Sequence, residues 1–363
     1  IYCIFKDMVT LGLCMIVKDE EEVIERCLNS CKELFDEIII VDTGSKDKTK
    51  SILKNFEVKI LDFKWVNDFS KARNYGILNC SCDYFMWLDA DDVITKENLE
   101  KLKSLKKNLE KLNPNCVFIN YNTGFDENGK VTFNFVRERI LKNDKINLFQ
   151  DPVHEAIIPR EKIIYREDIS IDHKKIKQSQ KDRNLKIYEK QNKKNFTPRQ
   201  MFYYARELYD NQKYKKSLFY FKKFLKQNDG FIENKIEACK NLSYIYRILN
   251  DKFNAKKILF ESFCFDTPRS EILCEIGEIY FEEQDYIKAI YYYNLATKNE
   301  IKNTLGFVKK DCYNYIPYLQ MCVCYYYLND IEKAIYYNEK ARQIKDNKIT
   351  KFNSEFLNSK VKD

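Results

Sequence analysis

Strand-sized apolar runs and helix-periodic segments alternate along the first third of the chain. Leu11–Val17 and Glu37–Val41 are the most apolar stretches, and Val58–Leu61 and Tyr84–Leu88 are two further strands. Between them, Glu20–Cys31 has helical spacing, with Val23, Cys27 and Leu28 on one side. Lys46–Asn55 turns Thr49, Ile52 and Leu53 inward, and Asp68–Asn79 is a third helix. Such alternation predicts an α/β domain, a mostly parallel sheet with helices on both faces. Residues 115–175 read as strands and hairpins, with Asp126-Glu-Asn-Gly129 as a turn. Lys174–Asn195 is a charged, low-apolar helix or linker.

Beyond residue 195 the pattern is purely helical, and it repeats. Ser243, Tyr246, Ala255, Leu259 and Ser262 align at an offset of 34 with Gly277, Tyr280, Ala289, Tyr293 and Ala296. The same internal spacing returns at Ala205, Leu208, Ser217, Phe221 and Phe224, and at Cys322, Tyr325, Ala334, Asn338 and Ala341. Small residues 12 apart let two antiparallel helices approach closely while aromatics fill the gaps. A generic bundle with chance periodicity explains four such units poorly. The pattern resembles the tetratricopeptide repeat, and Pro268 closes one unit as that motif expects. Such stacks present concave surfaces to peptides or partner proteins. The division expected is an α/β domain at 1–175, a helical linker at 176–196 and helical repeats at 197–363.

Composition narrows the choices. A length of 363 residues is more than one core usually fills, and 44% hydrophobic residues exclude wholesale disorder. No apolar run approaches the roughly 18 residues of a membrane span, and no signal peptide is expected. The net charge of +8 is spread evenly, which is not the footprint of a nucleic-acid binder. Thirteen scattered cysteines without a Cys-x-x-Cys pair argue against a disulfide framework or a zinc site and for a reducing cytoplasm.

Candidate chemistry sits at the strand ends. Ligands on open α/β sheets bind beyond the carboxyl ends of the strands. Three polar clusters fall there: Lys18-Asp19-Glu20, Asp42-Thr43-Gly44-Ser45 and Asp89-Ala90-Asp91-Asp92. Ordinary polar loops explain one such cluster easily and three in a row poorly. Carboxylates at a strand end can hold a hard divalent cation. Taken alone, the acidic triplet is as well explained by helix capping, since Thr95 and Asn98 open the next helix. The only two histidines, His154 and His173, fall in one later stretch. Either of them alone reads as structural.

The triplet is one of four ordered blocks. They are Leu13-Cys-Met-Ile-Val-Lys-Asp-Glu-Glu21, Asp36-Glu-Ile-Ile-Ile-Val-Asp-Thr-Gly-Ser45, Asp68-Phe-Ser-Lys-Ala-Arg-Asn74 and Trp87-Leu-Asp-Ala-Asp-Asp92. Together they resemble the family 2 glycosyltransferases, over about residues 10–175. The resemblance implies a nucleotide-diphospho-sugar-binding fold and a UDP-sugar donor. It places Val17, Lys18, Glu20 and Asp42 at the uracil and ribose, with Asp68 in reach of the base. It sets Arg73 beside the base and diphosphate, Asp89 at the ribose and Asp91 on Mn²⁺ or Mg²⁺. The repeat-bearing branch carries a Val-His-Glu segment like Val153-His-Glu155, followed by a later histidine. That implies Glu155 or His154 near the acceptor and His173 as a metal or diphosphate contact. The family's usual catalytic Glu/Asp-Asp pair is not evident here.

The residues themselves are compatible with these roles. A carboxylate at Asp42 can accept the imide N–H of uracil, and Arg73 offers a planar fork to phosphate. Inverting transfer needs a base to take the acceptor's proton. The leading expectation is an inverting, metal-dependent bacterial glycosyltransferase that moves a hexose or N-acetylhexosamine to a peptide or protein side chain, Cys or Ser/Thr. The two-part layout resembles sublancin-type S-glycosyltransferases and flagellin-modifying enzymes. The surplus tyrosines of the repeats point to polypeptide recognition or a homodimer. Alternatives are an inactive nucleotide-binding scaffold, a transferase acting on a cell-envelope glycan, and a nucleotidyltransferase. The last would carry a Gly-rich loop where Lys18-Asp-Glu-Glu-Glu stands.

Overall fold

Both faces of the central strands are apolar because both faces are covered. The computed structural model describes residues 9–125, 129, 131–176, 182–301 and 308–361, so the expected turn at 126–129 lies largely outside the described residues. The chain divides into two compact units, Ile1–Gln191 and Asn192–Asp363. The first contains strands β1 (Leu11–Val17), β2 (Glu37–Asp42), β3 (Lys59–Asp62), β4 (Tyr84–Trp87), β5 (Asp92–Val93), β6 (Cys116–Phe125), β7 (Val131–Lys142) and β8 (Ile163–His173). Its helices are α1 (Ile24–Cys31), α2 (Thr49–Leu53), α3 (Phe69–Leu78), α4 (Lys96–Leu112) and α5 (Arg183–Glu189).

The eight strands form one sheet in the order β3-β2-β1-β4-β7-β6-β8-β5. β3, β2, β1 and β4 run parallel, and β7 enters antiparallel beside β4. Period-2 alternation divides the core. Leu11, Leu13, Met15, Ile38, Ile40, Tyr84 and Met86 pack with α1 and α4 on one face. Cys14, Ile39, Val41, Phe85 and Trp87 pack on the other with Ile77 of α3, Phe149 and Ile157. The expected mostly parallel sheet with helices on both faces is the one observed.

Two helices are shorter than their periodicity predicts. α1 begins at Ile24 rather than Glu20, and α2 spans only Thr49–Leu53. The loops before them bond to each other instead of extending the helices. Asp19 N donates to Ser45 Oγ, Lys46 N to Asp19 Oδ1, Glu21 N to Asp47 Oδ2 and Lys48 N to Glu21 Oε2, all at 2.7–3.0 Å. The ends of β1 and β2 thereby carry one cross-linked loop pair.

The second unit consists of helix pairs: α6 (Pro198–Asp210) with α7 (Tyr214–Leu225), α8 (Ile232–Ile248) with α9 (Lys252–Glu261), α10 (Ser270–Glu282) with α11 (Tyr286–Ala296) and α12 (Tyr315–Tyr327) with α13 (Ile331–Ile344), followed by α14 (Lys348–Val361). Of the twenty aligned repeat positions, all but Tyr280 and Tyr325 are buried. Gly277 shows why small residues are needed: a Cβ there would lie 2.8 Å from the Tyr293 ring. Each pair turns on a left-handed residue, Gln212, Asn250, Gln284 or Asn329. In the last three pairs an aspartate follows and caps the second helix: Asp251, Asp285 and Asp330 each accept a backbone N–H at 3.1 Å.

Candidate active site

The carboxyl ends of β1, β2 and β4 lie side by side, because Val17 pairs with Asp42 and Cys14 with Trp87. At the end of β2 the Asp42 side chain is fully buried. Its Oδ1 accepts the amides of Gly44 and Ser45 at 2.8 and 3.0 Å, which folds the Asp42-Thr-Gly-Ser turn. Its Oδ2 has no partner among the described residues, so an acceptor capacity is left for a ligand N–H. Val17 spends its carbonyl on the amide and hydroxyl of Thr43. Lys18 is exposed, and the Glu20 amide donates to Thr49 Oγ1 at 2.8 Å.

Arg73 is the hub of the next layer. It projects from α3, whose first turn Asp68 caps by accepting Lys71 N at 3.0 Å. The buried guanidinium donates from Nε to Glu155 Oε1 and from Nη2 to Asp89 Oδ1, both at 2.7 Å. It lies over the rings of Trp87 and Phe149, and its Nη1 is unpaired among the described residues. Burial opposes the charge, but Asp89 and Glu155 hold the guanidinium above the ordinary arginine range. Burial likewise works against the Asp89 carboxylate, which Arg73 and Arg139 nevertheless hold well below the usual range.

The loop that carries Glu155 is fastened to α3. Asn74 exchanges two hydrogen bonds with the backbone of Phe149, and Phe69 N donates to Pro152 O. A bridge between Gln150 and Ala156 closes the loop, with Asp151 and His154 at positive φ. The Tyr188 hydroxyl of α5 donates to Val153 O at 3.2 Å. Arg73 and Glu155, 82 residues apart, are thus held at contact distance.

Beyond β4, the short β5 pairs with the end of β8 and sets Asp92 opposite His173. His173 Nδ1 lies 2.7 Å from Tyr121 Oη, 3.2 Å from Asp92 Oδ1 and 3.3 Å from Asp91 Oδ1. Burial lowers the imidazole pKa, but its bonds to Asp91 and Asp92 push it up to about 10. Asp92 is fully buried and has four partners: Tyr121 and His173 on Oδ1, and Asp89 N and Arg139 Nη1 on Oδ2. That fills its lone-pair sites, whereas the partly exposed Asp91 side chain engages only His173 among the described residues. The Asp89, Asp92 and His173 ligand atoms lie within 4.8 Å of one another.

Sequence reasoning missed Asp92's partner. Arg139 of β7 is completely buried, with its guanidinium 3.9 Å from the Trp87 ring and 4.2 Å from the Tyr121 ring. It donates to Trp87 O at 3.0 Å and pairs with Asp92 at 3.2 Å. The available signal was Arg139 directly before the apolar pair Ile140-Leu141 of β7, in a position where an apolar residue would be ordinary.

Residues 13–173 of the sequence match the family model for glycosyl transferase family 2. Residues 13–173 are a glycosyl transferase family 2 domain. Among curated proteins, a TPR repeat-containing protein of Synechococcus elongatus is 35% identical over 150 residues, 41% of this chain and 36% of that one. The SPbeta prophage-derived glycosyltransferase SunS of Bacillus subtilis is 31% identical over 252 residues, 64% of this chain and 58% of that one. This chain therefore spans well under two thirds of the length of either relative. The crystal structure of S. aureus TarS 1–349 is 15% identical and superimposes with a TM-score of 0.39, over 92% of each chain. In the family 2 domain, three of the four ordered sequence blocks supply Asp42, Asp89 and Asp91 at or just beyond the carboxyl ends of β2 and β4, and Arg73 from α3, bonded to Asp89. No described helix is long and apolar enough to cross a membrane.

Proposed function

We propose that this chain is an inverting, metal-dependent glycosyltransferase that moves a hexose or N-acetylhexosamine from a UDP-sugar to a Cys or Ser/Thr side chain of a peptide or protein. The observation that carries the reading is the convergence of Arg73, Asp89 and Glu155 beside Asp91 and His173. Structural ion pairs do not require one buried arginine to join a strand-end carboxylate to a loop carboxylate beneath an acidic turn.

Each residue then has a task. Asp42 Oδ2 accepts the uracil imide, with Val17, Lys18, Glu20 and Asp68 around the nucleoside. Asp89 orients the ribose, and the unpaired Nη1 of Arg73 is available to the diphosphate. Asp91 and His173 fit a divalent cation, Mn²⁺ or Mg²⁺: a carboxylate and an imidazole in contact, leaving the rest of the shell to water and phosphate. A bound cation there would neutralise charge on the departing diphosphate. Glu155 or His154 takes the acceptor's proton. Glu155 has the stronger geometric support, because Arg73 fixes its carboxylate in the cluster.

The repeats support the choice of a polypeptide acceptor. Phe219, Tyr291, Tyr327 and Tyr336 are each more than half exposed, while Phe221 and Tyr293, on the helices of Phe219 and Tyr291, are buried. Rigid exposed aromatics are enriched at protein interfaces. Incubating the full chain with a panel of UDP-sugars and Cys- or Ser/Thr-containing peptides, read by mass spectrometry, tests the reading. A peptide mass increase of one hexose or N-acetylhexosamine supports it; UDP release without any modified peptide, whatever the acceptor chemistry, rejects the polypeptide acceptor.

A further inference from the structure

The sheet has a second cluster of ligating groups, at the edge opposite the one just described. Glu37 opens β2, and Gly12 of β1 pairs with it on one side and with Phe85 of β4 on the other. The turn between α3 and β4 brings Cys80 and Cys82 onto this point. Both thiols are buried, and their sulfurs lie with a Glu37 carboxylate oxygen inside a 4.8 Å circle. Cys14 of β1 is buried in the same core cluster as Cys80 and Cys82.

Three features suit this cluster to a ligand rather than to packing alone. First, Gly12 makes the room: a Cβ there would lie 2.5 Å from Cys80 Sγ and 3.4 Å from Cys82 Sγ. Second, the turn is clamped from outside, so the thiols are held toward the sheet. Asn143 Nδ2 donates to the carbonyls of Cys80 and Cys82 at 3.1 and 2.8 Å, and Lys145 Nζ to that of Cys80 at 2.6 Å. Third, a carboxylate sits among sulfurs, 3.9 Å from Cys82 Sγ. It is oriented there by the Ser81 amide and hydroxyl at 2.8 and 2.9 Å. Cysteines that only fill space need no carboxylate.

We propose that Cys80, Cys82 and Glu37 form a binding site for a thiophilic divalent cation of the Zn²⁺ type. Sulfur and carboxylate oxygen are both ligands that Zn²⁺ takes in four-coordinate sites, whereas a softer monovalent ion would leave the carboxylate unused. Binding converts the Cys80 and Cys82 thiols to thiolates and releases two protons to solvent. The resulting site carries one net negative charge, and the Lys145 ammonium on the Cys80 carbonyl offsets it. The cluster lies at the amino edge of the sheet, so the cation's role is structural: it ties the exit of α3 to the starts of β1 and β2. Burial of the thiols means that loading accompanies folding.

The test uses Co²⁺ as a spectroscopic probe, with the full chain expressed or refolded in its presence. Asp91→Asn is the background, so that the acidic cluster at the opposite edge does not compete. The expected result is a near-ultraviolet sulfur-to-cobalt charge-transfer band at one equivalent, displaced by Zn²⁺ and lost in the Cys80→Ser/Cys82→Ser double variant. Should that double variant not fold, Glu37→Gln replaces it. It should lower Co²⁺ affinity by at least the roughly 10–100-fold that even an outer-shell partner is worth. Absence of the band in the folded chain overturns the proposal. So does a band that persists in the folded double variant, or one whose affinity Glu37→Gln leaves unchanged.

Discussion

Arg73 and Arg139 have opposite tasks at the residue scale, although both are buried against Trp87. Arg73 gathers groups that face the ligand edge, and Arg139 neutralises Asp92 beneath it. Arg139→Ala removes the arginine from the fully buried Asp92 charge and leaves it with Tyr121, His173 and the Asp89 amide, which costs up to about 3–5 kcal/mol. Denaturant unfolding of the variant should show that loss. Asp42→Ala should weaken UDP binding in titration calorimetry and, by removing the acceptor of the Gly44 and Ser45 amides, cost about 1–3 kcal/mol of stability in denaturant unfolding. Glu155→Gln keeps an acceptor for Arg73 but cannot take a proton, so turnover should fall by about 10²–10⁴-fold with donor affinity little changed. An equal loss in both would assign Glu155 a structural role. Asp42, Asp89 and Asp91 were legible in the sequence because each ends or follows an apolar strand. Arg139, Tyr121 and Asp92's central place were not. Their meeting depends on β7 entering beside β4 and β8 pairing with β5, and no local pattern encodes those two pairings.

Periodicity located the elements, and tertiary bonds set where they stop. β1 appears over the expected residues, and α3 is bounded by Asp68 and Asn79 as its spacing implied. α1 and α2 lost a turn each to the hydrogen bonds between their preceding loops, which join residues 26 or 27 apart and leave no trace in a helical window. In the repeats the 34-residue offset was readable because small positions recur 12 residues apart and are buried in every helix pair, as at Gly277, where the Tyr293 ring occupies the place of a Cβ. Gly277→Ala should destabilise the second unit by about 1–3 kcal/mol, since the buried Tyr293 ring has no room to retreat. Gln284 is exposed and left-handed, so Gln284→Gly should instead stabilise by about 0.5–1 kcal/mol. Thermal unfolding of the two variants should shift in opposite directions.

For the whole molecule, the proposed function places donor chemistry in the first unit and acceptor recognition in the second. The first unit has its own core on both faces of its sheet. A chain ending near residue 195 should therefore still bind UDP-sugar. It should lose transfer to peptide, self-association, or both; full-rate peptide transfer by a truncated monomer would contradict the division. The central claim, that the Asp91 edge is a metal-dependent sugar-transfer site, is tested most directly by UDP release. The full chain, given a UDP-sugar and an acceptor peptide, should release UDP with Mn²⁺ or Mg²⁺, stop when the cation is chelated and resume when it is restored. Asp91→Asn should fold like the parent and release no UDP above background. Near-parental release by Asp91→Asn with Mn²⁺ present, or release that chelation leaves untouched, would contradict the account.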